Sequence, residues 1–156
     1  MTTRPGALAR AVVLAGLAGG AADILTAFVI YRPAPPMRIL QSVASGLLGA
    51  EAFSGGWTTA AIGLAAHFVL AVIFAAIFVA AALQAPVALR RPVLSGLLFG
   101  VTVYGVMDAI VVPLSLSPPR PAPPPADIIA LGLMAHVFFG VALSLTAARL
   151  LRGPPA

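Results

Sequence analysis

The chain contains no cysteine and no lysine, and it has only four acidic residues and two histidines among its 156 positions. Without cysteine, disulfides, thiolate metal sites and cysteine nucleophiles are excluded. Charged residues make up 8% of the chain, against about a quarter in a soluble domain. No HExxH metal motif, Walker phosphate loop, nucleophile elbow or CxxCH haem-attachment motif is present. Nothing in the pattern therefore asks for an enzyme, and the chain reads as non-enzymatic. Ser42, Ser45 and Ser54 have no context that would make one a nucleophile, and they read as loop or helix-surface hydroxyls.

What is present is hydrocarbon. Hydrophobic residues are 61% of the chain, and the mean hydropathy is +1.08. They are gathered in runs of about 20 residues or more, the length of helix that crosses roughly 30 Å of bilayer. The partner of most of the surface is therefore the lipid bilayer, with one membrane domain over residues 1–156. The net charge of +5 does not point to nucleic acid, because all nine basic residues are Arg at the ends of apolar runs, not along one face. The Lys-free, Ala/Arg/Pro-rich usage matches a GC-rich bacterial genome, a compositional association without a mechanism.

Along the chain, a short start with Arg4 and Arg10 leads into a first span from about Ala11 to Tyr31. A basic start, an apolar core and small residues up to Ala22 would also fit a secretory signal. The apolar run resumes at Ile24, however, which a cleaved signal would not need. Arg32-Pro33-Ala34-Pro35-Pro36 stops the helix, since proline lacks the amide donor and clashes with the preceding turn. Met37 to Gly49 has apolar positions at helical spacing but is too short to span. It is expected either to lie in the headgroup plane or to re-enter against protein. Glu51 to Gly56 is a loop, and Trp57 suits the interface. The second span is about Thr59 to Leu83. After a turn with Pro86 and Arg90 the third runs from about Val93 to Leu116, with Pro113 near its end. Ser117 to Pro125 is a Pro-rich connector, and the fourth span is about Asp127 to Leu150. Arg4, Arg10, Arg90, Arg91, Arg149 and Arg152 fall on one side, and Arg32, Arg38 and Arg120 on the other. The excess predicts that both termini are cytoplasmic.

Three matches recur in one order and predict two parallel helical-hairpin repeats, residues 11–83 and 93–151. Val13 to Gly20 resembles Val93 to Gly100. Arg32-Pro33-Ala34-Pro35-Pro36 is identical to Arg120-Pro121-Ala122-Pro123-Pro124. Ile62-Gly63-Leu64-Ala65-Ala66-His67 is nearly repeated as Leu131-Gly132-Leu133-Met134-Ala135-His136. The first half carries an insertion about the length of Met37 to Gly56. A two-span unit returns to its starting side, so the halves would be related by an axis along the membrane normal.

Helices in lipid associate through close packing of small residues and through polar contacts. Gly16 and Gly20, and Gly96 and Gly100, have the small-xxx-small spacing. The first stripe continues to Asp23 and the second through Tyr104 to Asp108. Gly63 precedes His67 by a turn, and Gly132 and Gly140 flank His136. All four ionisable residues are thus expected to face the bundle interior at similar depth, where Asp23, Asp108, His67 and His136 could share one pocket. A charge at that depth costs at least about 2.5–3.5 kcal/mol unless paired, neutralised or wetted. The set fits a proton-relay or proton-coupled site, a haem or divalent-metal site on His67 and His136, or hydrogen bonds that only hold the bundle together.

The stretch Arg38 to Gly49, RILQSVASGLLG, with Arg91 to Leu97, RPVLSGL, resembles small bacterial four-span inner-membrane proteins of the YagU-like group. The resemblance implies a bacterial inner membrane and brings no activity with it. The expectation is an all-α four-span bundle with one extra short helix, serving as a small transporter-like or accessory subunit. A homodimer or a partner membrane subunit would complete any aqueous route. A haem- or metal-binding protein and a purely structural scaffold are the alternatives.

Overall fold

A computed structural model describes residues 5–119 and 124–152. Arg4 and the segment Arg120 to Pro123 lie outside the described residues, so the repeat of the Pro-rich connector is not described. The described residues form helices and turns with no strand. Four helical stretches are long and apolar enough to cross a membrane. They are α1 (Pro5–Ile30), α3 (Gly56–Gln84), the composite stretch Pro92–Leu114, and α7 (Ala126–Leu151). Between them lie α2 (Pro36–Leu48), a 3-10 turn (Gly49–Phe53) and α4 (Val87–Arg90). At most 28% of the most apolar window of any span is buried inside the protein. The rest of that apolar surface needs a hydrocarbon solvent, as expected of a multi-pass membrane protein.

Proline sets most of the boundaries. Pro36 opens α2 and Pro92 opens α5 (Pro92–Val106), each at the first helical position, where the missing amide costs nothing. Glycine sets two others: Gly49 has φ +62° where α2 ends and Gly56 has φ +57° where α3 begins, backbone conformations that side chains with a Cβ resist. The third span is not one α-helix. α5 (Pro92–Val106) widens into a π-helical turn (Met107–Val111), followed by α6 (Val112–Leu114). The Val112 amide bonds the Met107 carbonyl five residues back. Pro113 cannot donate to Ala109, and the wider turn next to it is a common way of accommodating such a residue.

α1 and α7 pack side by side, α3 packs on α1 and α5 packs on α7. α2 lies against α3. The small-residue stripes make these approaches possible. A Cβ on Gly16 would come within 2.7 Å of the Val72 Cα, and one on Gly96 within 2.7 Å of the Val141 Cα. One turn on, Gly20 faces Phe68 and Ala71, and Gly100 faces the His136 carbonyl and Val137. Val72 follows His67 at the same interval as Val141 follows His136, so the pairs α1/α3 and α5/α7 are packed in one register. Gly140 packs on the Gly96 carbonyl and Gly100, while Gly132 faces the Tyr104 ring. Gly63 serves a different contact, the Leu40 carbonyl of α2.

The half of the bundle near the termini is filled by small and aromatic residues: Ala11, Ala15, Ala75, Phe78, Val79, Leu143 and Ala147 are all buried. α3 and α5 meet there through the Phe78 and Phe99 rings, centroids 5.1 Å apart and edge to face. Ser144, fully buried, donates to the Pro92 carbonyl at 2.6 Å and ties α7 to the start of α5. The sequence pattern does not single this serine out.

The short helix between the first two spans packs on protein. Ile39, Leu40, Gln41, Ala44 and Ser45 are buried. Gln41 Nε2 donates to the Gly56 carbonyl at 3.0 Å and to Thr59 at 3.2 Å. The Leu116 amide donates to the Gly46 carbonyl at 3.0 Å, so α2 also clasps the end of the third span.

Candidate functional site

Asp23 follows Gly20 on the face of α1 that leads from the small-residue stripe. His67 comes from α3 and His136 from α7, the two helices flanking α1. The three side chains line one cavity of about 190 Å³, together with Val43 of α2 and with Phe74 and Phe139. The two imidazoles therefore line a common space.

Each imidazole has its proton placed by a backbone carbonyl, which can only accept. His67 Nε2–H donates to the Gly20 carbonyl at 2.9 Å, across from α3 to α1. His136 Nδ1–H donates to the Gly132 carbonyl at 2.9 Å, one turn back on its own helix. In the neutral ring this leaves His67 Nδ1 and His136 Nε2 as acceptors. The two rings thus occupy equivalent positions but use opposite nitrogens. The nearest Asp23 oxygen, Oδ1, lies 3.7 Å from His136 Nδ1, too far for a hydrogen bond. That Oδ1 is buried and has no hydrogen-bond partner. The Tyr104 ring meets His136 edge to face at 5.4 Å and holds the imidazole from the other side.

Asp108 stands apart from these three. The stripe Gly96, Gly100, Tyr104 holds through α5, but the helix widens at Met107 and Asp108 is exposed. It lines a neighbouring cavity of about 300 Å³ with Tyr31, Tyr104, Gly132 and His136. Asp108 shares this cavity with Tyr104, the stripe residue before it, but Asp23 and His67 do not line it, so the four ionisable residues are divided between two cavities that meet at His136.

A third cavity, of about 540 Å³, lies between α2 and the end of the third span. It shares Val43, Leu70, Met107 and His136 with the cavity around Asp23. Ser42, Ser45, Ser115 and Ser117 form its polar wall, and Phe53, Val111, Val112 and Pro118 its apolar one. Ser45 is only 3% exposed, so it is not the surface hydroxyl that its sequence context suggests. His136 and Met107 line all three cavities. Met107 and the Ser115/Ser117 pair carry no sequence signal, since their roles depend on the π turn and on α2 folding back.

Chemically, the arrangement offers a carboxylate oxygen without a donor and two imidazoles with fixed tautomers. It can accept, hold and pass a proton, or accept hydrogen bonds from a small ligand. Among the described residues, no group of three or more His, Cys, Asp and Glu side chains is placed to hold a metal ion. The cavity around Asp23 is also below the range of about 300–1,000 Å³ usual for drug-sized ligands and cofactors. Comparison with protein-family models, with curated proteins and with solved structures finds no match to this chain.

Proposed function

We propose that this chain is a small transporter-like or accessory subunit of a bacterial inner membrane, with both termini cytoplasmic, that handles protons at Asp23, His136 and His67. The observation that carries the reading is the buried, donor-less Oδ1 of Asp23, 3.7 Å from an imidazole whose own proton points elsewhere. An acceptor left in that state at bilayer depth is costly unless water or a proton donor visits it. Such residues in membrane helices mark relays and ion paths.

The matching registers of α1/α3 and α5/α7 support an origin as two parallel hairpin repeats. The halves have since diverged: at the place of Asp23 in the first half the second has Val103, and both residues line the central cavity. The resemblance to the YagU-like group supports the inner membrane. With only four spans, a full aqueous route would draw on a second copy or a partner subunit. Crosslinking in native membranes tests this, and a chain that remains monomeric there counts against it.

The test of the relay is proton flux in liposomes read by an entrapped pH dye. Flux present in the natural chain and lost in Asp23→Asn supports it; flux absent, or unchanged in that variant, overturns it. A haem reading is checked on the same preparation. A Soret band lost in His67→Ala or His136→Ala would replace the relay with a haem site.

One observation favours a structural share for His67. Its bond to Gly20 joins two helices, whereas the bond of His136 stays within α7. His67 thus positions α3 against α1, and His136 is the imidazole free to act.

A further inference from the structure

The central cavity and the serine-walled vestibule share a feature that neither Asp23 nor the histidines reveal alone: no side chain lining them has a hydrogen to give. Seven polar side chains line the two spaces: Asp23, His67, His136, Ser42, Ser45, Ser115 and Ser117. The imidazole protons are on Gly20 and Gly132. Ser42 donates to the Ile39 carbonyl, Ser45 to Ser42 and Ser115 to Val112, each at 2.7 Å. Ser45 and Ser117 hydroxyls lie 3.3 Å apart, and since the Ser45 hydrogen is on Ser42, that of Ser117 goes to Ser45. What is left is hydroxyl oxygens, imidazole nitrogens and a carboxylate. Every one is an acceptor, and no arginine lines either space.

We infer that the Asp23 cavity and the serine-walled vestibule together form a binding site for a small protonated primary amine. The ammonium head sits against Asp23 and the histidines, and the short hydrocarbon body lies in the vestibule. A wall of acceptors rejects anions, which need donors. Imidazole nitrogens disfavour sodium or potassium relative to an N–H donor, because hard cations take oxygen ligands. An ammonium group supplies three N–H donors and the charge that the lone carboxylate calls for. The vestibule, about 540 Å³ with an apolar wall that includes Phe53, Val111 and Pro118, is roomy enough for a hydrocarbon tail. This rests on the reading of Asp23, His67 and His136 as one site, but not on their passing protons.

The test is calorimetric titration of the purified full chain with n-butylammonium, tetramethylammonium and butyrate. The first has N–H donors, the second has charge without donors, and the third has the opposite charge. Butylammonium should bind, tetramethylammonium at least about tenfold more weakly, and butyrate not at all. Asp23→Asn should weaken butylammonium by about tenfold or more. Ser117→Arg, which puts a fixed cation in the vestibule and leaves Asp23 untouched, should abolish amine binding; this variant serves if Asp23→Asn fails to fold. Equal binding of tetramethylammonium, binding indifferent to both substitutions, or no binding by the folded chain would overturn the inference. Asp23-dependent proton flux without amine binding would overturn it and leave the relay standing. Amine binding without flux would do the reverse.

Discussion

Asp23 Oδ1 and His136 Nδ1 stand 3.7 Å apart across the α1–α7 contact without bonding, because the imidazole gives its proton to Gly132. The pair lies within ion-pair range once the imidazole takes a second proton, which its free nitrogen, Nε2, would accept. Replacing either group should therefore silence the site without unfolding the bundle. Asp23→Asn and His136→Gln should each reduce liposome proton flux by about a hundredfold, a typical worth of one acid–base group. Thermal stability in detergent should stay near that of the natural chain. A variant that melts early and keeps its flux would point to a structural pair instead.

His67 should behave in the opposite way. Its bond to the Gly20 carbonyl crosses from α3 to α1, and an interhelical bond of this kind is worth about 0.6 kcal/mol on average. His67→Ala should lower unfolding stability by about that amount, and His67→Gln, whose amide can still reach the carbonyl, should recover most of it. Denaturant titration of the three proteins decides this.

The glycine stripes predict a sharp contrast between two positions on one helix. A Cβ on Gly100 would collide with the His136 carbonyl and Val137, while one on Gly105 meets nothing within 4 Å. Gly100→Ala should cost about 1–3 kcal/mol as the α5–α7 contact is forced apart. Gly105→Ala should be neutral or slightly stabilising. Equal stability of the two variants would mean that α5 and α7 do not approach as described.

Phe74 and Phe139 line the central cavity, their rings meeting edge to face at 6.4 Å. Helix direction places the Phe78–Phe99 pair beyond them toward the termini. These rings lie between the acceptor-lined spaces and the buried, small-residue half of the bundle. Phe74→Ala should raise proton flux several-fold by letting water past, and the effect should vanish when Asp23→Asn is added. Unchanged flux in the single variant would show that protons take another route.

Much of the architecture was legible because membrane insertion acts on length and composition. Each of the four spans lies within a few residues of its expected place, and the largest difference is at the first helix, which begins at Pro5 and not near Ala11. Gly16, Gly20, Gly96 and Gly100 were legible for a related reason: a residue without a side chain in an apolar helix implies a neighbour at short range. Whether Met37 to Gly49 would lie in the headgroups or against protein was not legible. That depends on the Leu40–Gly63 contact and the Gly46–Leu116 bond, between residues far apart in the chain.

The amino-acid order by itself determined that this chain folds as four hydrocarbon-solvated helices with small-residue seams. A thickness of hydrocarbon and a helical repeat are enough to decide such things. The fold alone decided which nitrogen of each imidazole keeps its proton, that Asp108 lines a different cavity from Asp23 and His67, and that Ser45 and Ser117 meet. Hydrogen bonds change over a few tenths of an ångström, and those distances exist only once helices from different parts of the chain are packed together.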